Sequence, residues 1–380
     1  MTLASLKVAI VCDWLTVNGG AEKVILAMHE LFPSAPIYTS LYNSHKVKGF
    51  ENAKIHTSFL QKIPFAKNHH QFLLPLMPLA FESMNLDEFD IVLSSSHSCA
   101  KGIITKPKTL HICYCHTPMR YAWDNHNEYI SQYTMNFVAK KLGNRIMHHL
   151  RMWDRLAAER VDAYCTNSHF VKKRIQKYYR KTADVIHPPV DFDRFKIEKG
   201  EKDYYLAIGR LTPYKKFSTI VDAFNTMGKK LVIVGTGVEE KHLKSKAAKH
   251  LTGEKNIIFL GHVSDADLPT IYANAKALIF PQVEDFGITP LESMASGRPV
   301  IAYKAGGVLE TVKDGITGIF FKEQTSEGII EAVHEFEKNY KDFSPERIRE
   351  HAKKFSLPSF KSKLLEYIED TWRQYKKRYE

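Results

Sequence analysis

Glu284-Asp-Phe-Gly-Ile-Thr-Pro-Leu-Glu292 sets two carboxylates eight positions apart, with a glycine and a proline between them. The run just before it, Ala277-Leu278-Ile279-Phe280, is short and wholly apolar, the pattern of a parallel strand buried on both faces. Strand, glycine and proline in that order predict a strand-turn-helix unit. The amides after Gly287 have no intrahelical acceptor, and Pro290 suits the first turn, where a missing N–H costs nothing. Such a helix start holds an anion, phosphate above all, through its backbone N–H groups and the helix dipole. Glu284 then falls at the mouth and Glu292 about two turns along, both on the ligand side. Carboxylates do not bind phosphate, so their partners are hydroxyl groups, and a ligand with both phosphates and many hydroxyls is a nucleotide sugar. The competing reading, a turn between two solvated acids, leaves the joint placement of glycine and proline unexplained.

Working outward, apolar strand runs alternate with helical patterns along the whole chain. The first half offers strands at Val8–Cys12, Ile37–Leu41, Ile91–Ser94, Leu110–Cys115 and Ala163–Thr166. A second series runs through Tyr205–Ile208, Leu231–Val234, Ile257–Leu260, Ala277–Phe280 and Val300–Ala302. Alternation of this kind predicts α/β architecture with doubly wound parallel sheets. A chain of 380 residues with 44% hydrophobic content exceeds what one core usually supports, so two domains are expected. Two such domains place a ligand at the carboxyl ends of their strands, facing each other across a cleft. The division falls near residue 195, after the extended Ile186–Val190, giving domains 1–195 and 196–355. The closing stretch 356–380 repeats apolar residues at Phe360, Leu364, Ile368 and Trp372, a helical period that asks for burial along one side.

Two further segments fit a phosphate-bearing ligand, and a third ends a strand on a histidine that is as readily structural or merely exposed. Asn18-Gly19-Gly20-Ala21-Glu22-Lys23 follows the first strand and opens a helix, where glycines permit close backbone approach to a phosphate; a plain tight turn explains it equally well. Gly209-Arg210-Leu211-Thr212-Pro213-Tyr214-Lys215-Lys216 follows the first strand of the second series. Its Arg210 offers a planar fork and Lys215 a point charge, both suited to a leaving diphosphate. His116 closes the strand Leu110–Cys115 and opens His-Thr-Pro-Met-Arg-Tyr-Ala-Trp-Asp124.

Glu284–Glu292 resembles the E-x7-E signature of the retaining glycosyltransferases of family four, and the resemblance extends over nearly the whole chain. It implies the GT-B fold: two Rossmann-like domains facing across a cleft, with the terminal helix returning to the first. It implies that Gly19 and Gly20 face the donor diphosphate and that Arg210 and Lys215 bind it. Gly235 and Val263, which end or follow later strands, then line the nucleotide pocket. Phe286, Gly287, Ile288, Thr289, Leu291 and Glu292 contact the donor, with Glu292 on the ribose. Glu284 holds sugar hydroxyls and balances developing positive charge, and His116 contacts the transferred sugar. Because the segment through Asp124 is similar to a mannosyltransferase branch, GDP-mannose is the implied donor, ahead of a UDP-sugar. Retention of configuration follows from the resemblance. A phosphate oxygen can take the acceptor's proton, and a covalent route through Glu284 stays open. The acceptor implied is a glycan or a lipid-linked sugar in cell-surface polysaccharide synthesis.

Other classes are weighed against this. No metal is implied: Asp191-Phe192-Asp193 is formally a D-x-D pair, but two prolines precede it and no strand delivers it. Cys113 and Cys115 fall on one face of a strand with no second cluster to complete a tetrahedral zinc site. Five cysteines, all in the first half, read as reduced, buried thiols. The net charge of +12 could suggest nucleic acid, but no stacking aromatics or groove-binding helix accompany it. An inactive sugar-nucleotide binder conflicts with the full set Glu284, Glu292, Arg210 and Lys215. The opening residues lead straight into a strand and no run is long enough to span a bilayer, which predicts a cytoplasmic protein. Peripheral contact with an anionic membrane surface is read from residues 59–81, where Phe59, Leu60, Ile63, Phe65, Phe72, Leu73, Leu74, Leu76 and Met77 accompany Lys62, Lys67, His69 and His70. The basic helix bearing Lys140, Lys141, Arg145, Arg151 and Arg155 adds to it, with Leu142, Ile146, Leu150 and Trp153 turned inward.

Overall fold

The computed structural model describes residues 5–124, 126, 137–199, 203–247 and 256–379. The chain divides into two compact units, Met1–Pro189 with Pro358–Glu380, and Val190–Leu357.

The first unit is built on a seven-stranded parallel sheet. Its strands are β1 (Val8–Cys12), β2 (Ile37–Thr39), β3 (Ile55–Thr57), β4 (Ile91–Ser96), β5 (Leu110–Cys115), β6 (Ala163–Thr166) and β7 (Asp184–Val185), in the spatial order β3-β2-β1-β4-β5-β6-β7. The three central strands β1, β4 and β5 are buried throughout, which is why each reads as an unbroken or nearly unbroken small and apolar run. All five cysteines are free and buried. The C-terminal helix Leu357–Tyr379 packs in this unit, burying Phe360, Leu364, Ile368 and Trp372 as the period requires. Phe360 meets Tyr114 of β5 edge-on, and the Tyr367 hydroxyl donates to the Tyr164 carbonyl of β6. Four such side chains, at on the order of 2 kcal/mol each, hold the helix far more firmly than its exposed ion pairs do.

The second unit carries a six-stranded parallel sheet of β8 (Tyr204–Ile208), β9 (Leu231–Val234), β10 (Ile257–Gly261), β11 (Ala275–Phe280), β12 (Val300–Tyr303) and β13 (Gly318–Phe321), ordered β10-β9-β8-β11-β12-β13. One large apolar cluster, from Val190 to Phe355, fills both faces of this sheet.

Three strands escape the sequence pattern: β3, β7 and β13. All three lie at sheet edges. An edge strand is covered on fewer sides, so β3 and β7 need no continuous apolar run; β13, Gly-Ile-Phe-Phe, is apolar and largely buried but only four residues long. The outer surface of the first unit also departs from expectation. Leu60, Leu74 and Met77 are core residues, whereas Phe59, Phe65, Phe72, Leu76 and Leu79 are exposed. Phe72, Leu76 and Leu79 follow the spacing of one helical face along His70–Leu76 and Met77–Glu82. In the helix Phe137–Glu159 the buried stripe runs through Met147, Leu150 and Asp154, while Leu142 is exposed. Among the described residues no helix is long and apolar enough to cross a membrane.

Candidate active site

In an open parallel sheet the crevice forms where the strand order reverses, outside the carboxyl ends of the two strands that flank the reversal. In the second unit that point lies between β8 and β11. The loop after β8 carries Arg210 and Lys215, and the loop after β11 carries Glu284–Gly287. Lys215 Nζ forms an ion pair with Glu284 Oε1, and the two side chains are 16% and 19% exposed. Sixty-nine residues apart in sequence, they meet because their strands are neighbours. Arg210 is exposed beside them, its guanidinium 3.4 Å from the Tyr214 hydroxyl.

Gly287 caps the helix Ile288–Ala295 with φ +90°, a conformation that favours glycine over any residue with a Cβ. Pro290 sits in the first turn, as read. Glu292 is barely more than one turn in, not two, and is buried, accepting a hydrogen bond from the Tyr272 hydroxyl at 2.9 Å. Phe286 and Leu291 have their side chains in the apolar core, so a ligand could reach Leu291 only through its backbone. Ile288 and Thr289 are half-buried at the helix start. Gly235 lies where a Cβ would stand 2.0 Å from the Gly209 carbonyl oxygen, so it lets the loops after β8 and β9 close on each other. Val263 is half-buried and packs against the core.

Ala305-Gly306-Gly307, after β12, was not singled out by the sequence reading. The Gly307 amide donates to the Glu284 carbonyl at 2.9 Å, and a Cβ on Gly307 would stand 2.4 Å from the Phe286 Cα. This glycine pair fixes the backbone that presents Glu284. Its signal was available, since it is a glycine pair following an apolar strand, like Gly19-Gly20.

In the first unit the strand order reverses between β1 and β4. Gly19 is the extended N-cap of the helix Gly20–Leu31. The buried Glu22 folds back on it, its Oε2 3.0 Å from where a Gly19 Cβ would be. Burial pushes the Glu22 carboxyl upward, against the opposing pull of the backbone amide at Glu22, the nearby His97 imidazole and the amide at Gly19. Asp13, at the end of β1, binds the backbone of the loop after β4. His116 is half-buried; its Nε2 lies 2.8 Å from the Ser95 hydroxyl and its carbonyl accepts from Asn167. Burial, and next the nearby His97 imidazole, push its own imidazole down to about 3, so it is a neutral hydrogen-bonding group at neutral pH.

The segment that follows His116 is pinned to the first unit by its own side chains. The Trp123 indole donates to Asp154 at 2.7 Å and stacks on Tyr178, Asp124 pairs with Arg174, and the Tyr121 and Ser98 hydroxyls are 2.6 Å apart. Asp154 in turn pairs with Lys101, both side chains fully buried, and accepts from Tyr179. Trp123 and Asp124, which close this segment, therefore anchor it to the first unit. Asp191 and Asp193 are exposed on a short turn, and among the described residues no cluster of potential metal ligands forms.

Comparison with solved proteins identifies the architecture. HepE of Anabaena, solved in complex with UDP and glucose, superposes with a TM-score of 0.69 at 16% identity, covering 96% of this chain and 99% of that one. Two Rossmann-like units of this topology are the GT-B fold. Residues 18–194 match the family described as Glycosyltransferase Family 4 and residues 189–355 the one described as Glycosyl transferases group 1. Together they span most of the chain, which belongs to this glycosyltransferase family. Among curated relatives, the alpha-1,3/1,6-mannosyltransferase ALG2 of Rhizomucor pusillus is 25% identical over 96% of this chain and 91% of its own length. The GDP-mannose-dependent alpha-(1-6)-phosphatidylinositol monomannoside mannosyltransferase of Mycobacterium tuberculosis is 30% identical over 44% of this chain and 50% of its own. Several other relatives are likewise covered over about half their length or less.

Proposed function

We propose that this glycosyltransferase moves mannose from GDP-mannose to a hydroxyl of a glycan or lipid-linked acceptor, with retention of anomeric configuration and without a metal ion. The observation that carries the reading is the Lys215–Glu284 pair at the strand-order reversal of the second unit, beside Arg210 and the helix start at Gly287. Rupture of the glycosidic bond puts negative charge on the departing diphosphate and positive charge on the sugar. Lys215, Arg210 and the helix-start amides answer the first charge, and Glu284 answers the second. Glu292, oriented by Tyr272, serves the ribose, and the neutral His116 serves a sugar hydroxyl. Two relatives named as mannosyltransferases, one of them GDP-mannose-dependent, favour mannose. A UDP-sugar is the second reading, favoured by the UDP and glucose bound to HepE.

The acceptor side is read from the first unit's surface. Exposed Phe65, Phe72, Leu76 and Leu79 lie on a segment with exposed Lys62 and Lys67. Lys140, Lys141 and Arg145 are exposed on the helix Phe137–Glu159, whereas Arg151 and Arg155 are engaged with Ala122 and Glu159. Apolar side chains beside basic ones suit the cytoplasmic face of an anionic membrane, where a lipid-linked acceptor in polysaccharide synthesis would present its sugar. The test is transfer of labelled sugar from a panel of nucleotide sugars to mannosides and lipid-linked acceptors. Product with an α-linked mannose from GDP-mannose alone is the expected result; transfer only from UDP-sugars would replace the donor, and a β-linkage would overturn retention.

A further inference from the structure

Asp13 and His97 meet at the strand-order reversal of the first unit, and no step above uses them. Asp13 is 2% exposed, and its carboxylate is heavily engaged. Oδ2 accepts from the backbone amides of His97 at 2.6 Å and Ser98 at 2.9 Å, and Oδ1 accepts from Ala100 at 2.7 Å. The His97 ring adds a further contact, its Nδ1 3.1 Å from Oδ2. An ionised carboxylate only accepts, so Nδ1 carries the hydrogen, and in the neutral ring Nε2 is left with its lone pair.

The ring is also fixed sideways. Trp14 meets it edge-on at 4.7 Å and 87°, and His70 packs on Trp14 at 4.6 Å. Among the described residues Nε2 has no hydrogen-bond partner, and the His97 side chain is 31% exposed. The ring centroid of His116 is 6.3 Å away. A lone pair held in a fixed direction beside the histidine assigned to the transferred sugar has the right chemistry for an incoming alcohol. The alcohol donates its O–H to Nε2 and keeps an oxygen lone pair for the anomeric carbon; as that bond forms, the bond to the diphosphate breaks, the diphosphate leaves with its electron pair, and the alcohol's proton passes to Nε2.

We propose that His97, oriented by Asp13, binds the acceptor hydroxyl and sets its direction of attack. The proposal rests on the glycosyl-transfer reading, and two substitutions separate it from a loop-anchoring role. In His97→Asn the side-chain amide can replace Nδ1–H toward Asp13 but puts nothing at the place of Nε2. In His97→Gln a carbonyl oxygen can reach that place. Octyl α-mannoside is the acceptor probe, GDP-mannose the donor, and slow hydrolysis of GDP-mannose by water the control.

For His97→Asn, acceptor kcat/KM should fall about 10- to 100-fold, the loss of one hydrogen bond to a substrate, while donor KM, hydrolysis rate and Tm stay close to wild type. His97→Gln should recover part of the transfer. Wild-type transfer by His97→Asn, or a parallel fall of transfer and hydrolysis, would overturn the proposal. If His97→Asn lowers Tm, His97→Gln decides: no recovery of transfer in a folded protein refutes it. A wild-type protein that moves sugar from no nucleotide sugar to any acceptor removes the glycosyl-transfer reading itself, a result distinct from either variant's behaviour.

Discussion

Glu284→Gln should lower turnover while leaving, or even tightening, the hold on the nucleotide. Lys215 is already paired with Glu284, and neither side chain is more than one-fifth exposed. A diphosphate arriving at Lys215 therefore competes with an internal carboxylate. The gross attraction of such a pair is about 4 kcal/mol at an effective dielectric of 20, but desolvation and side-chain entropy reduce the net value to on the order of 1 kcal/mol. Freeing the lysine should then tighten GDP by up to about fivefold. Turnover behaves oppositely, because the carboxylate acts where positive charge develops. Its loss should cost on the order of 3 kcal/mol, about 100-fold in kcat. Lys215→Ala removes a charge-assisted bond present in both ground and transition states, so GDP should bind about 10- to 100-fold more weakly and kcat should fall as well. Calorimetric titration of GDP into wild type, both single variants and the double variant closes a thermodynamic cycle. If Glu284 influences affinity only through Lys215, its effect on GDP disappears once Lys215 is alanine. Tenfold weaker GDP binding by Glu284→Gln, or normal turnover, would refute the assignment of roles.

The same titration compares bases: GDP should bind more tightly than UDP, and the reverse order would sink the mannose assignment while leaving the family intact. Excess EDTA should leave the transfer rate nearly unchanged if Lys215, Arg210 and the helix-start amides supply the counter-charge of the leaving diphosphate, as proposed; complete loss restored by Mg²⁺ or Mn²⁺ would contradict this. Sedimentation with anionic vesicles should show salt-sensitive binding that weakens when Lys62, Lys67, Lys140 and Lys141 become glutamate, at about 1 kcal/mol for each basic residue near the surface; full recovery in the supernatant at low salt would point to a soluble acceptor. Stability should fall with acid in a defined window. Burial pushes the fully buried His111 from its ordinary 6.5 down to about 3, so the unfolded chain takes up a proton there that the folded protein does not. The stability His111 contributes is present above 6.5 and is lost as pH falls toward 3, at about 1.4 kcal/mol per pH unit. Urea unfolding at two pH values spanning the upper half of that window should show the loss, and His111→Gln should reduce it; equal stability at both would remove His111 as its source.

Local patterns in the chain determined the class of fold and most of its strands. Ala277–Phe280, Leu110–Cys115 and Leu231–Val234 lie inside their sheets, and burial on both faces demands the apolar runs, broken in Leu110–Cys115 only by His111, that make them legible. The helix start at Gly287 and the C-terminal stripe from Phe360 to Trp372 were equally legible, because a helix cap and a helical period are written in residues a few positions apart. The edge strands Ile55–Thr57 and Asp184–Val185 left no such trace, since half-covered strands need no apolar run, whereas Gly318-Ile-Phe-Phe321 carries an apolar run too short to stand out. Tertiary structure alone decided what the polar residues touch. Lys215 meets Glu284 because β8 lies beside β11, and Asp13 meets His97 because β1 lies beside β4. Glu292 faces Tyr272, and Lys101 is buried against Asp154, through the packing of helices distant in sequence. An apolar side chain obeys a one-dimensional rule, inside or outside, which a periodic sequence can record. A buried charge needs one particular partner at one distance, and strand order, which no local pattern contains, supplies it.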